Sequence, residues 1–127
     1  MEKEEFVNKN DMIERTKKFA IEIIKLINEF PKTTIGIVFG QQLLKSATSV
    51  GANYRSACRA QSYSHFISKI SIAEEEADET IYWLELLKSS EIIKDGVKLE
   101  NLIKEAKELT AILTSARKTA KHRSNIK

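Results

Sequence analysis

Cysteine, proline, glycine and histidine are all scarce in this 127-residue chain, and each shortage narrows what the protein can be. A single cysteine, Cys58, closes no internal disulfide and lacks the company that a zinc site needs, so it reads as a small buried side chain. One proline and four glycines leave too few breaks for a turn-rich β protein. The two histidines, His65 and His122, stand in no Glu-x-x-His pair, the spacing by which ferritin-like bundles hold metal. No stretch approaches the roughly 18 uncharged apolar residues of a membrane span. The opening MEKEEFVNKNDMIERTKK is charged throughout, unlike a secretory signal or an acid-poor transit peptide, and a cytoplasmic protein is the expectation.

What is present suits helices. Hydrophobic residues at 42% and charged residues at 31% describe a well-solvated globule with a core rather than a disordered chain. The length fits one domain over 1–127, with a short charged N-terminal extension and a basic C-terminal tail. Four amphipathic segments follow one another. In the first, about 11–29, Ile13, Phe19, Ala20, Ile23, Ile24 and Ile27 recur near helical spacing until Phe30 and Pro31 end it. Residues 32–40, with Gly36 and Gly40, read as the loosest connection, one that packs through Ile35, Ile37, Val38 and Phe39. The second helix, about 41–60, aligns Leu43, Ala47, Val50, Tyr54, Ala57 and Cys58, with small neighbours around Gly51 that permit close helix approach. Ser62 or Ser64 can cap the third, about 63–88, where Phe66, Ile70, Ala73, Ala77, Thr80, Leu84 and Leu87 step by 4 and 3. After an Asp95-Gly96 turn, Leu99, Leu102, Ala106, Leu109, Leu113, Ala116 and Ala120 repeat that pattern. The expected fold is all-α, an antiparallel up-down-up-down four-helix bundle.

Charge is unevenly spread. Residues 31–73 hold five basic residues and no Asp or Glu; residues 74–108 hold eleven acids against five lysines; residues 109–127 hold five basic residues and no acid. In an antiparallel bundle Arg55, Arg59, Lys69, Arg117, Lys118, Lys121 and Arg123 therefore gather toward one pole and the acids toward the other. The N-terminal ends of helices 1 and 3 share the basic pole and add backbone N–H groups suited to anions. Phosphate is the obvious biological anion, and the acidic surface of another subunit is the other candidate.

Chemical constellations are thin. Glu74, Glu75 and Asp78 read as a solvated face, with no metal or cofactor expected. Glu76 and Glu79 border the apolar stripe, and Asn53, Arg55 and Arg59 on the preceding helix are candidate partners in a polar network. Cys58 with His65 lacks a third group for a nucleophilic site, and Gly36 and Gly40 lack the Lys-Ser/Thr of a phosphate loop. Asn53, Tyr54, Arg55 and Arg59 form a possible RNA-contacting strip, against which Tyr54 also reads as core. Ile72, Ile81, Trp83, Leu86 and Ile112 lie off the core stripes, more apolar surface than one bundle interior absorbs. A subunit interface is the expected use.

Two segments are more specific. Lys45-Ser-Ala-Thr-Ser-Val-Gly-Ala-Asn-Tyr-Arg55 and Ile72-Ala-Glu-Glu-Glu-Ala-Asp-Glu-Thr-Ile-Tyr-Trp-Leu-Glu-Leu-Leu87 resemble the signature segments of the bacterial 23S rRNA intervening sequence proteins, over about residues 15–115. That resemblance implies an antiparallel four-helix protomer in a ring-like homopentamer, without enzymatic activity. It further implies similarity to the accessory variability proteins of diversity-generating retroelements, which bind nucleic acid and a reverse transcriptase. Asn53, Arg55, Glu76, Glu79 and Trp83 are the signature positions, with a structural or intersubunit role implied. Gln61 stands where many members carry Glu, and Glu74-Glu75 replaces a commoner apolar-basic pair. The resulting expectation is a non-enzymatic homo-oligomer whose basic pole binds RNA or DNA. A protein-binding scaffold is the alternative.

Overall fold

The computed structural model describes residues 9–126, so the charged extension over 1–8 and Lys127 lie outside the described residues. Four helices follow in order: α1 (Lys9–Ile27), α2 (Thr34–Cys58), α3 (Tyr63–Ser90) and α4 (Gly96–Ile126). Each packs on its neighbours in sequence, α2 against α1 and α3, and α3 against α4, while α1 meets α4 only lightly. Short connections with this adjacency give the antiparallel bundle that the heptad steps predict.

Local chemistry sets the boundaries. As α1 ends, Glu29 and Phe30 donate their N–H groups three residues back, at 2.9 and 3.0 Å, before Pro31 stops the helix. Thr33 caps α2, its side-chain oxygen accepting from the Gly36 N–H at 3.1 Å. The segment read as a loose connection is thus mostly helix, because its two glycines serve packing rather than a turn. A Cβ on Gly36 would sit 2.0 Å from the Pro31 carbonyl oxygen, and one on Gly40 would lie 3.3 Å from Ile27 Cγ2. Of the four apolar residues expected to pack inward, Phe39 does so at the core margin, whereas Ile35, Ile37 and Val38 are exposed. Ser62 caps α3 by accepting from the His65 N–H at 3.0 Å. Glu91 closes α3 in the left-handed region, at φ 58°, and the Asp95 carboxylate accepts from the Lys98 N–H at the start of α4.

The core follows the predicted stripes of α2, α3 and α4. Leu43, Val50, Ile70, Leu84, Leu87, Leu99, Leu109 and Leu113 are fully buried, each contributing roughly 1.5–3 kcal/mol of transfer free energy. The stripe on α1 is rotated from the expected one. Met12, Thr16, Phe19, Ile23 and Leu26 face inward, whereas Ile24 is exposed and Ile13 and Ile27 pack at the margin. Gly51 explains the close approach of α1: a Cβ there would come within 3.1 Å of Thr16 Oγ1. Between α2 and α3, the fully buried hydroxyls of Ser46 and Thr80 share a hydrogen bond of 2.9 Å. No helix in the described residues is long and apolar enough to cross a membrane.

Candidate nucleic-acid interface

Antiparallel packing brings the start of α1, the end of α2, the start of α3 and the end of α4 to one pole. A shared cleft marks the convergence, being lined by Lys9, Cys58, Tyr63, Phe66, Ala120 and Arg123 from those four elements. Arg55 and Arg59 lie one helical turn apart at the end of α2, both exposed, and Lys118 and Lys121 are exposed on the closing turns of α4. Lys69 is half-buried six residues into α3, about 9 Å from its start at 1.5 Å per residue.

Pairing divides the basic residues into two groups. Arg55, Arg59, Lys69, Lys118 and Lys121 enter none of the ion pairs among the described residues. Arg117 differs, because its guanidinium binds Glu74 of α3, whose carboxylate also accepts from the Thr114 hydroxyl. Glu74 is therefore an interhelical partner, half-buried, rather than the solvated acid that its sequence context suggests. The Arg117 guanidinium holds the Glu74 carboxyl below its ordinary range, against a smaller opposing effect of burial. The pair sits eleven residues into α3, about 16 Å from its start, so Arg117 belongs to the flank of the bundle.

Several acids away from the basic pole are paired. Lys98 bridges to Glu29 at 2.6 Å, Lys88 pairs with Glu100, and Arg15 contacts Glu105 at 2.7 Å and Glu108 at 2.6 Å. Cations that enter none of these ion pairs stand at both ends, since Lys32 and Lys94 in the connections at the opposite pole are also outside them; the basic pole differs in that, among the described residues, no Asp or Glu lines its cleft.

The expected polar network around Glu76 and Glu79 does not form through α2. Asn53 donates within its own helix to the Ser49 carbonyl, and Arg55 and Arg59 point to solvent. Glu79 instead accepts from Trp83 Nε1 at 3.1 Å, one turn along α3. Trp83 packs edge-on against Phe39 of α2, with centroids 5.6 Å apart, and against Tyr82. Burial, followed by the adjacent Glu79 charge, pushes the Glu76 carboxyl above its ordinary value, with Lys45 opposing. The physical reason for the difference is that i to i+4 bonding within each helix satisfies groups whose place beside the stripe suggests interhelical pairing.

The cleft itself had no sequence signal. It encloses about 660 Å³, and its back wall includes Tyr54, buried as the core reading expected. Burial raises the Tyr54 phenol above its ordinary value and also raises the Cys58 thiol, which the Tyr54 hydroxyl and the Lys9 ammonium pull partly back down. His65, considered with Cys58, lies exposed on the first turn of α3. Among the described residues no three His, Cys, Asp or Glu side chains converge as a metal site.

Residues 8–115 match the family described as 23S rRNA-intervening sequence protein. The chain belongs to this family. A solved structure from Bacteroides thetaiotaomicron, a protein of unknown function from the S23 ribosomal protein family, is 37% identical and superimposes with a TM-score of 0.79. The match covers 87% of this chain and 97% of that one. Among curated proteins none matches. In this member of the intervening sequence family the two signature segments fall on α2 and α3, on either side of the Ser46–Thr80 hydrogen bond.

Proposed function

We propose that this protein is a non-enzymatic homopentamer whose basic pole binds nucleic acid, structured RNA in particular. The observation that carries the reading is the cluster of exposed cations that enter no ion pair among the described residues, Arg55, Arg59, Lys118 and Lys121, around a pole whose cleft is lined by no described Asp or Glu. Arg123 lines the same pole. Arg117, held by Glu74, contributes less than its place in the basic tail suggests. A ring of five subunits would repeat this patch, so that phosphate contacts too weak singly add by avidity.

Support for assembly comes from apolar side chains outside the core. Ile35, Val38 and Tyr82 are exposed beside the Phe39–Trp83 pair, and Ile21, Ile24, Ile37 and Leu44 are exposed along α1 and α2. Two different faces of one protomer suit head-to-tail contacts that close into a ring. The same faces favour the second reading, a scaffold that docks another protein such as a polymerase.

Binding of a labelled structured RNA and a matched duplex DNA across a salt series, with mass by light scattering on the same sample, tests both. The proposal expects a homogeneous oligomer whose RNA affinity falls steeply with salt. Replacing Arg59 or Lys121 with Gln should lower the log–log salt slope by about 1 for each phosphate that is no longer neutralised. An oligomer that binds neither nucleic acid at low salt would overturn it and leave the scaffold reading.

A further inference from the structure

We propose that the cleft at the basic pole is a binding site for a small amphipathic anion, a hydrocarbon tail ending in a carboxylate. The proposal does not rest on nucleic-acid binding. Its basis is the way the bundle fills its layers. Along α4 the inward positions Leu99, Leu102, Ala106, Leu109 and Leu113 include a single alanine, whereas the last two, Ala116 and Ala120, are both small. The facing positions at the end of α2 are Ala57 and Cys58. Small side chains therefore meet small side chains in the last layer, and the four helix ends leave about 660 Å³ open there. Sites for small molecules span roughly 300–1,000 Å³ and are mainly apolar, with a few polar groups at fixed positions.

The lining matches that description. Tyr54, Phe66, Ile112, Ala116 and Ala120 supply apolar walls, and Gln61 and Ser62 add polar groups from the α2–α3 connection. Among the described residues no Asp or Glu lines the cleft, whereas Lys9 and Arg123 do, so the electrostatic complement of the space is an anion. The field of Lys9 reaches the Cys58 thiol within the cleft. Burying the tail against these walls and leaving the carboxylate beside Lys9 satisfies both surfaces of such a ligand.

Cys58 is the sole cysteine and lines the cleft, which makes its modification a direct report of occupancy. The full chain is titrated with sodium decanoate below its micellar range while the rate of Cys58 alkylation by a maleimide is followed. Saturable protection is expected, reaching about elevenfold at ten times the dissociation constant. Decyltrimethylammonium, with the same tail and the opposite charge, should protect far less. Ala116→Phe, which fills the cleft, should abolish protection while helicity and the thermal midpoint stay near those of the parent. Should that variant fail to fold, Lys9→Glu at an exposed position provides the second check, with decanoate affinity weakened about fivefold. Absence of saturable protection, equal protection by the cationic amphiphile, or unchanged protection in the variants would overturn the proposal.

Discussion

The buried hydroxyl pair between α2 and α3 offers a quantitative test of what holds the helices in register. Ser46 and Thr80 are both fully buried and 2.9 Å apart, and the Thr80 oxygen also lies 2.8 Å from the Glu76 carbonyl. Thr80→Val keeps the shape but leaves Ser46 with only the Leu43 carbonyl at 3.3 Å; the expected cost is about 1–2 kcal/mol. Ser46→Ala leaves Thr80 bonded to its own helix and should cost about 1 kcal/mol. The double variant removes both polar groups, so no donor is stranded, and its destabilisation should fall short of the summed single effects by about 1 kcal/mol. At about 2.1 cal/mol/K of unfolding entropy per residue, each kcal/mol moves the midpoint of a 127-residue domain by about 4 °C. Urea unfolding of the four proteins at one fixed protein concentration measures the cycle, the concentration being held because assembly would shift apparent stability. Additivity to within about 0.3 kcal/mol would refute the claim that these hydroxyls act as a pair.

Further expectations concern the loop, the carboxylates and the α1–α4 seam. Glu91→Gly relieves a left-handed backbone at φ 58° and should stabilise by about 1 kcal/mol, read as a higher urea midpoint. Glu76 has a folded value raised above the ordinary 4.5, so its ionised form subtracts stability at neutral pH. Glu76→Gln should therefore stabilise near pH 7, with the gain shrinking as pH falls through the raised folded value of Glu76 toward 4.5. Glu74 works in the opposite sense: its lowered value adds stability above 4.5 that disappears as pH falls through the folded value. Arg117→Met should remove most of that acid-side dependence in unfolding curves taken across pH. Arg15→Met breaks the ion pairs to Glu105 and Glu108 and should cost about 1 kcal/mol at low salt and little in 1 M NaCl; an undiminished cost in salt would assign Arg15 a packing role.

Heptad steps made α3 and α4 readable because each carries one uninterrupted apolar phase, from Ile70 to Leu87 and from Leu99 to Ala120. Helix α1 carries two competing phases, and nothing local says that Ile24 faces out while Thr16 faces in; the choice is made by Gly51 opposite. The start of α2 was hidden for a related reason, since glycines that permit close packing look the same in sequence as glycines that permit turns. At the basic pole, antiparallel order alone brought Arg59, Lys121 and Arg123 together. The Glu74–Arg117 pair needs the relative register of α3 and α4, which helical periodicity within each segment does not carry. The cleft was least legible of all, being space that four helix ends fail to fill rather than a property of any one of them.

The unequal seams of the bundle imply an order of disassembly. Helix α1 is packed onto α2 but meets α4 only lightly; Arg15 pairs across that seam with Glu105 and Glu108, and Glu29, just past the end of α1, bridges to Lys98. Opening along that line detaches one helix while α3 keeps its contacts with α2 and α4, so amide protons of α1 should exchange with solvent sooner than those around Ser46 and Thr80. A helix released in this way exposes Met12, Phe19 and Ile23; its short tether favours recapture by its own chain, and in any assembly of these subunits a neighbouring copy would compete for it, a route to swapping segments without global unfolding.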